Sequence, residues 1–201
     1  VSEVVTALKK AAFTSMIIVV VNKINRNAPG FPIVCRATSA SDFPFSRADT
    51  NIVVVYIDDE AIGVMGWPVP RNFHALMLQT LTDLHVRAIG IEPVLDDRRD
   101  EYPEYDQVLA SVMRSSVPVV VTCYLDSVVR SHSGDSAVAP AGLFSYPGVS
   151  EPQVYGRGLH LPLAPFRDGS AGVGHVNFSG RGAIPVFVAY GTGVIPSFAT
   201  E

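Results

Sequence analysis

With 201 residues, 48% hydrophobic residues and a mean hydropathy of +0.28, the chain is long and apolar enough to bury a core as one α/β domain. This composition excludes intrinsic disorder as a description of the whole chain. The net charge of −4 and the scattering of the 15 Lys and Arg residues argue against nucleic-acid binding, which needs a basic patch.

Charged residues make up only 17% of the chain, which is low for a free-standing soluble protein. We therefore expect a partner subunit or a nearby membrane to cover part of its apolar surface. The two cysteines, Cys35 and Cys123, fit neither a zinc cluster nor a redox Cys-x-x-Cys motif. They leave one disulfide or two separate thiols open, and we favour separate thiols with Cys123 buried.

The first 50 residues predict a helix and a connector. Apolar residues recur at helical spacing from Glu3 to Ile24, although the β-branched run Ile17–Val21 suits a helix less well. The apolar stretch Ala11–Val21 is shorter than the ~20 residues of a spanning helix, so it is either a buried segment or the soluble end of an anchoring helix. Residues 25–51 are rich in Pro, Ser, Asp and Asn and predict a loop-rich connector.

A buried strand and an amphipathic helix follow. Residues Ile52–Ile57 form a nearly continuous β-branched run, as in a strand that is covered on both faces. A structural turn of Trp67, Pro68 and Pro70 precedes the helix, and we interpret Trp67 as its packing anchor. Pro70 suits the first helical turn because its missing N–H would be unpaired there. The predicted apolar face of the helix consists of Phe73, Leu76, Met77, Thr80, Leu81 and Leu84.

The alternation of strands and helices continues beyond this helix. The stretch "RAIGIEPVL" predicts a second buried strand, residues 105–113 carry the stripe of a second amphipathic helix, and "VPVVVTCYL" predicts a third strand. Such an alternation with short links indicates a parallel sheet wound right-handedly. The order weakens over residues 127–170, and "GVGHVNF" and "IPVFVAYG" then predict a closing pair of strands joined by "SGRGA".

These elements predict an α/β fold. We expect an open, mainly parallel sheet with flanking helices and an additional closing β-hairpin. Residues 1–50 would form the N-terminal helix and connector and residues 51–201 the α/β domain, both within one globular unit.

Polar residues gather where the predicted strands end. Ligands bind beyond the carboxyl ends of the strands in an open parallel sheet. Asp58 and Glu92 end two strands that we expect to be neighbours, so they can form a facing pair that shares a proton, binds a cation or is bridged by Arg71. The alternative is a set of helix caps with an internal Arg–carboxylate bridge. The candidate ligand-binding residues are Asp58, Asp59, Arg71, His74, Glu92, His175 and Asn177.

Signatures of catalysis are absent from the sequence. It contains no GxSxG elbow, no phosphate-binding GxxxxGK[ST] loop and no HExxH motif. His74 and His85 share one helix face but lie about 16 Å apart, so they cannot ligate one ion. His160 falls in a loop without a ligand partner at useful spacing. We therefore predict no catalytic residue, no metal and no cofactor.

The stretch "IVVVYIDDEAIGVMGWPVPRNFHALMLQTLTDLHVRAIGIEPVLDD" resembles the start of a CHASE2 domain. The later stretches "PVVVTCYL", "GVGHVNF" and "IPSFA" resemble further strands and the ending of that family, so that the resemblance covers Asn51 to Ala199. Glu92 departs from the pattern because the family usually has Asp there, and "SGRGA" replaces a longer acidic segment. The residues that match the pattern are Asp58, Asp59, Trp67, Pro68, Pro70, Arg71, Gly90, Gly174, His175 and Asn177.

The resemblance implies an extracytoplasmic sensor module of a bacterial transmembrane receptor. Family members carry membrane helices on both sides of the domain and a cytoplasmic histidine kinase, nucleotide cyclase, diguanylate cyclase or Ser/Thr kinase. It also implies a periplasmic location, tethering through flanking helices and a homodimer. Because the chain starts at Val1 without a methionine, we expect it to be a fragment or a processed form.

Three hypotheses about function remain open at this stage. The first is a domain that senses an unknown small-molecule or protein signal and passes a change of geometry to its terminal helices. The second is a metal-dependent hydrolase that uses Asp58 and Glu92. The third is a structural module that dimerises receptors without binding a ligand.

Overall fold

The computed structural model of the protein describes residues 15–20, 36–39, 52–126, 153–154, 156, 158–178, 185–190 and 193–198. These residues form ten strands and four helices. The strands are β1 (Ser15–Val20), β2 (Arg36–Ser39), β3 (Ile52–Ile57), β4 (Ala88–Ile91), β5 (Val119–Asp126), β6 (Gln153–Val154), β7 (Gly158–His160), β8 (Gly172–His175), β9 (Phe187–Tyr190) and β10 (Gly193–Pro196). The helices are α1 (Asp59–Met65), α2 (Arg71–Asp83), α3 (Pro103–Ser115) and α4 (Ala164–Arg167).

The main sheet has the strand order β2-β3-β1-β4-β5-β7, and β8 also pairs with β5. Because β1 is antiparallel to both β3 and β4, these two strands point in the same direction. Strands β5 and β8 continue that direction through parallel pairing, whereas β7 is antiparallel to β5. The predicted α/β class, with an open sheet and flanking helices, is confirmed.

The sheet differs from the prediction at its centre. The predicted helix Glu3–Ile24 is wrong over Ser15–Val20, which forms strand β1, and the rest of that range lies outside the described residues. Its β-branched residues Ile17, Ile18, Val19 and Val20 favour an extended backbone, which pairing on both edges stabilises. Strand β1 therefore separates β3 from β4.

The closing β-hairpin is present but is built from other strands than predicted. Strand β9 pairs with β10 in antiparallel register and with β6 in parallel register. Strand β8, which we expected to pair with β9, instead joins the main sheet beside β5. The predicted pairing of "GVGHVNF" with "IPVFVAYG" is therefore wrong, because "GVGH" forms β8 and pairs in parallel with β5.

Helices α2 and α3 pack against one another and against one face of the sheet. The sheet contributes apolar side chains to this core, among them those of Val55, Ile57, Ile89, Ile91, Val119 and Val121. The predicted apolar face of α2 is partly wrong, since Leu76 is 61% exposed and the buried positions include Arg71 and His74. Within the described part of the chain, no helix is long and apolar enough to cross a membrane.

The opposite face of the sheet is closed by Phe198, which follows β10. Its N–H donates to the carbonyl of His175 at 2.9 Å, so the chain crosses close to the end of β8. A Cβ atom added at Gly174 would lie 2.4 Å from the Cα atom of Phe198, and one added at Gly90 would lie 2.5 Å from the tip of its ring. Phe198 therefore approaches both positions so closely that only glycine fits there.

We expect Gly174→Ala to destabilise the protein by about 3 kcal/mol or more, because the new methyl group would collide with backbone that cannot rotate away. Gly63→Ala is the matched control: nothing lies within 4 Å of the added atom, and alanine in α1 should add about 0.5 kcal/mol. Urea unfolding measures both. Equal stabilities for the two variants would contradict the close approach of Phe198.

The collision at Gly90 should be reversible by a second substitution. The atoms in its way belong to the Phe198 ring, whereas those near Gly174 belong to the backbone. We expect Phe198→Leu to restore part of the stability that Gly90→Ala loses and none of the loss caused by Gly174→Ala. A double-mutant cycle on the free energy of unfolding tests this, and a coupling near zero at Gly90 would refute it.

Candidate functional site

The turn between α1 and α2 delivers a charged side chain into the protein interior. Val69 is buried in this turn, whereas Trp67 is 57% exposed, so the prediction that Trp67 packs as an anchor is wrong. Pro70 is the N-cap residue of α2, and no side chain caps this helix. The first residue of the helix, Arg71, is only 4% exposed.

Arg71 binds the segment that connects β4 to α3. Its Nη2 atom donates to Asp97 Oδ1 at 2.8 Å and to the backbone carbonyl of Asp97 at 3.3 Å. Its Nε atom lies 3.5 Å from Asp106 Oδ1, in the first turn of α3. Arg99 Nη2 contacts the other carboxylate oxygen of Asp97 at 3.1 Å. One carboxylate therefore lies between two guanidinium groups.

Burial dominates the electrostatics of this network. It lowers the pKa of Arg71, although the charge of Asp97 opposes the shift. It also raises the pKa of Asp106, although the charge of Arg71 opposes that shift. The guanidinium of Arg71 lies 5.6 Å from the centre of the buried Phe166 ring, which adds a cation–π contact.

His74 lies one helical turn after Arg71 and is 3% exposed. Its Nδ1 atom is 3.3 Å from the carbonyl of Pro70, and its Nε2 atom is buried without a hydrogen-bond partner. Burial, followed by the charge of Arg71, lowers the pKa of His74 to about 4, while the Pro70 carbonyl opposes the shift. The imidazole is therefore neutral at neutral pH and donates its Nδ1 proton to Pro70.

A second contact holds the segment after β4. The Nδ1 atom of His160 lies 3.0 Å from Asp96 Oδ2, and its ring stacks on Tyr124 with centroids 4.1 Å apart. The expectation that His160 lies in a loop is wrong, because it is the last residue of β7. Leu95 is fully buried, and its carbonyl accepts from the N–H of Leu163 at 2.8 Å. The segment is thus attached to β7 as well as to α2.

The expected facing pair of Asp58 and Glu92 is not formed by neighbouring strands, because β1 lies between β3 and β4. Asp58 caps α1, and its Oδ1 accepts from the N–H of Ala61 at 2.9 Å. The backbone carbonyl of Glu92 accepts from the hydroxyl of Thr122 at 2.6 Å. Arg71 binds Asp97 and Asp106, so the predicted Arg–carboxylate bridge exists with other partners. Asp59, also proposed for the site, is exposed in the first turn of α1.

His175 and Asn177 hold the end of β8 onto β5. The Asn177 side chain donates to the carbonyl of Leu125 at 2.8 Å and accepts from its N–H at 2.9 Å, as a paired strand would. The ring of His175 is fully buried, and its Nδ1 accepts from the N–H of Asn177 at 3.2 Å. Burial lowers the pKa of His175, against the opposing carbonyl of Pro185. These contacts stabilise the backbone of the sheet where β8 pairs with β5.

The structure thus brings together two of the predicted residues, Arg71 and His74, with Asp97, Arg99 and Asp106. The last three were not selected from the sequence, although the charge run "DDRRDE" after a strand contains Asp97 and Arg99. Among the described residues, no group of three or more His, Cys, Asp or Glu side chains is arranged to hold a metal ion.

The prediction that Cys123 is a buried, separate thiol is confirmed. Cys123 is fully buried and unpaired, and burial raises the pKa of its thiol to about 12. It is therefore a packing residue of β5 and not a nucleophile at neutral pH. Cys35 lies outside the described residues.

The buried imidazole of His74 should make stability depend on pH. Because its pKa is lowered to about 4 in the folded state, the unfolded chain binds the extra proton first as the pH falls below the ordinary value of 6.5. The stabilisation is therefore full above that value and is lost progressively towards pH 4, by about 2 kcal/mol at pH ~5. Urea unfolding of the wild type and of His74→Met measures this contribution.

His85 offers the control for this measurement. It is exposed just beyond α2 with a backbone φ of 58°, which asparagine also adopts readily. His85→Asn should leave the pH dependence unchanged, whereas His74→Met should flatten it. A profile that stays equally steep in His74→Met would assign the acid sensitivity to another group.

Comparison with known proteins adds the family to this geometry. A search of curated proteins and a search of solved structures gave no match. The profile of the CHASE2 domain matches residues 30–201, which include Arg71, His74 and their partners together with the β8 segment that contains His175. The chain therefore belongs to the CHASE2 family, whose members are extracytoplasmic sensor domains of signalling receptors.

Proposed function

We propose that this domain is the periplasmic ligand-sensing part of a bacterial transmembrane receptor. In this proposal the domain itself performs no catalysis, and the signal is a small molecule that binds at the carboxyl ends of β3, β4 and β5. Family membership supports the sensory role. The location of the site follows from where the charged side chains of the described residues meet.

The observation that carries the proposal is the burial of Arg71 beside a more exposed partner. The guanidinium is 4% exposed, whereas the carboxylate of Asp97 that binds it is 52% exposed. A buried charge is costly unless it is paired, so Arg71 requires an anion at this position. A site that always needs an anion, at an edge which solvent reaches, is suited to recognising one.

The other candidate residues have supporting roles in this proposal. Asp58 caps the N-terminus of α1, and Asn177 fixes the end of β8. His74 fills the interior beside Arg71 without adding charge. Asp59 lies in the first turn of α1 and Glu92 follows β4, and neither is assigned a contact with the ligand. Ligand contact is assigned to the segment after β4 and to the start of α2.

For the output we propose a homodimer that is tethered to the membrane by helices outside the described residues. A change at the segment after β4 would shift α3, whose first turn contributes Asp106 to the same network. The effector would be a cytoplasmic nucleotide cyclase, histidine kinase, diguanylate cyclase or Ser/Thr kinase. A ligand can drive such a change only if it binds one of the two geometries more tightly.

Location is the first part of the proposal to be tested. We expect alkaline phosphatase, fused after the domain in the native gene product, to be active in cells, because this enzyme folds only outside the cytoplasm. A fluorescent protein that fails to mature in the periplasm serves as the reciprocal fusion. An inactive phosphatase with a bright fluorescent fusion would place the domain in the cytoplasm and refute the proposal.

Signalling is the second part. Arg71→Lys keeps the charge but loses the planar fork that binds a carboxylate through two donors, so we expect effector activity in membranes to change by about fivefold. Arg87→Lys is the matched control, since Arg87 is exposed and should leave the activity unchanged. Equal activities of the two variants, at equal expression, would remove Arg71 from the sensing mechanism.

A further inference from the structure

Asp97 binds Arg71 and Arg99 in the way in which a carboxylate ligand would bind them. Its Oδ1 atom contacts Arg71 at 2.8 Å and its Oδ2 atom contacts Arg99 at 3.1 Å, so each oxygen has its own guanidinium. Two arginines that converge on one carboxylate form a strong and directional recognition unit. Here that unit is filled by the protein's own side chain.

The pairing leaves part of the buried donor set unused. Arg71 Nε makes no hydrogen bond, since Asp106 Oδ1 lies 3.5 Å away, and Arg99 Nε is also buried without a partner. Buried polar atoms normally find partners, so each exception calls for an explanation. Asp97 alone does not satisfy this site, because its carboxylate reaches only the Nη2 atom of Arg71.

Arg71 also contacts two residues other than Asp97. Asp106 contacts the guanidinium from α3 and is 17% exposed, whereas Asp97 is 52% exposed. The Phe166 ring supports the same group, at 5.6 Å from its centre. Arg71 thus has two contacts that do not involve Asp97 and one on a segment that solvent reaches.

We propose that Arg71 and Arg99 form a binding site for a small carboxylate and that Asp97 is its displaceable internal occupant. This inference rests on the proposed sensory function and names the ligand class and the switch. A ligand carboxylate takes the place of the Asp97 side chain between the two guanidinium groups. The Asp97 side chain is then released from Arg71, while the ligand links Arg99 to α2 and the contact of Asp96 with His160 still attaches the start of the segment to β7.

The test is chemical rescue with acetate as the probe. Asp97→Ala empties the position between the two arginines, so we expect its thermal midpoint to fall and saturating acetate to raise it again by about 3 °C or more. The wild type should respond less, because its own carboxylate competes. Acetamide, which has the same shape without the charge, and sodium chloride at equal ionic strength should rescue neither protein.

Two further variants assign the rescue to the site. Adding Arg71→Met to Asp97→Ala should abolish the response to acetate, whereas adding Arg87→Met should preserve it, because Arg87 is exposed. Should Asp97→Ala fail to fold, Asp97→Asn keeps the shape of the side chain and should still respond to acetate more than the wild type. The inference is overturned if Asp97→Asn and the wild type respond equally.

Hydrogen exchange tests the release of the segment. Residues 97–101 should exchange faster in Asp97→Ala than in the wild type, and acetate should slow this exchange only in part, because it links Arg99 to Arg71 but does not replace the covalent tether of the Asp97 side chain. Unchanged exchange in the variant would show that Asp97 does not hold the segment, which overturns the switch.

The outcomes separate this inference from the proposed function. A receptor whose output depends on Arg71 but whose Asp97→Ala domain ignores acetate remains a sensor of another ligand class. A domain that is rescued by acetate but lies in the cytoplasm retains the carboxylate site and loses the proposed periplasmic role.

Discussion

The buried positive charge of Arg71 is the constraint on which the arrangement of the site depends. A guanidinium that is 4% exposed loses most of its hydration, and only nearby carboxylates can offset that loss. Two separate segments supply them: the loop after β4 contributes Asp97, and the first turn of α3 contributes Asp106. Burial, followed by the positive charge of Arg71, lowers the pKa of His74, so the residue remains neutral. The route of the chain from β4 into α3 is therefore held at α2 by Arg71 and at β7 by the contact of Asp96 with His160.

On the opposite face of the sheet the constraint is steric. Phe198 approaches Gly90 and Gly174 so closely that neither position has room for a methyl group. Its backbone also donates to the carbonyl of His175, whose ring fixes the turn to Asn177. The "GHVN" motif, Gly90 and the residues after β10 thus form one structural unit. The family motifs therefore have two physical roles. Those around Arg71 position charged side chains, and those around β8 allow Phe198 to pack closely against the sheet.

The sequence was sufficient for the parts of the fold that local periodicity determines. Strands β3, β4 and β5 and helices α2 and α3 were predicted because apolar spacing distinguishes a buried strand from an amphipathic helix. Strand β1 was predicted as a helix, because its extended form depends on two partners that are distant in the chain. Arg71 and His74 could be predicted from their place beyond a strand end. Their partners could not, since the contacts with Asp97 and Asp106 span 26 and 35 positions and depend on the route of a loop.

The difference in exposure between the two partners of Arg71 decides which contact can serve as a switch. Asp97 regains hydration on release because its side chain is half exposed, and a ligand carboxylate supplies the anion that the buried Arg71 needs, so a ligand with a modest preference for the open state can replace it. Loss of the Asp106 contact would leave a partly buried carboxylate without a cation, which costs more. The buried arginine thus provides specificity for an anion, and the exposure of Asp97 makes the exchange reversible. A site with both acids buried would bind its own side chains too firmly to respond, and one with both exposed would discriminate poorly between anions.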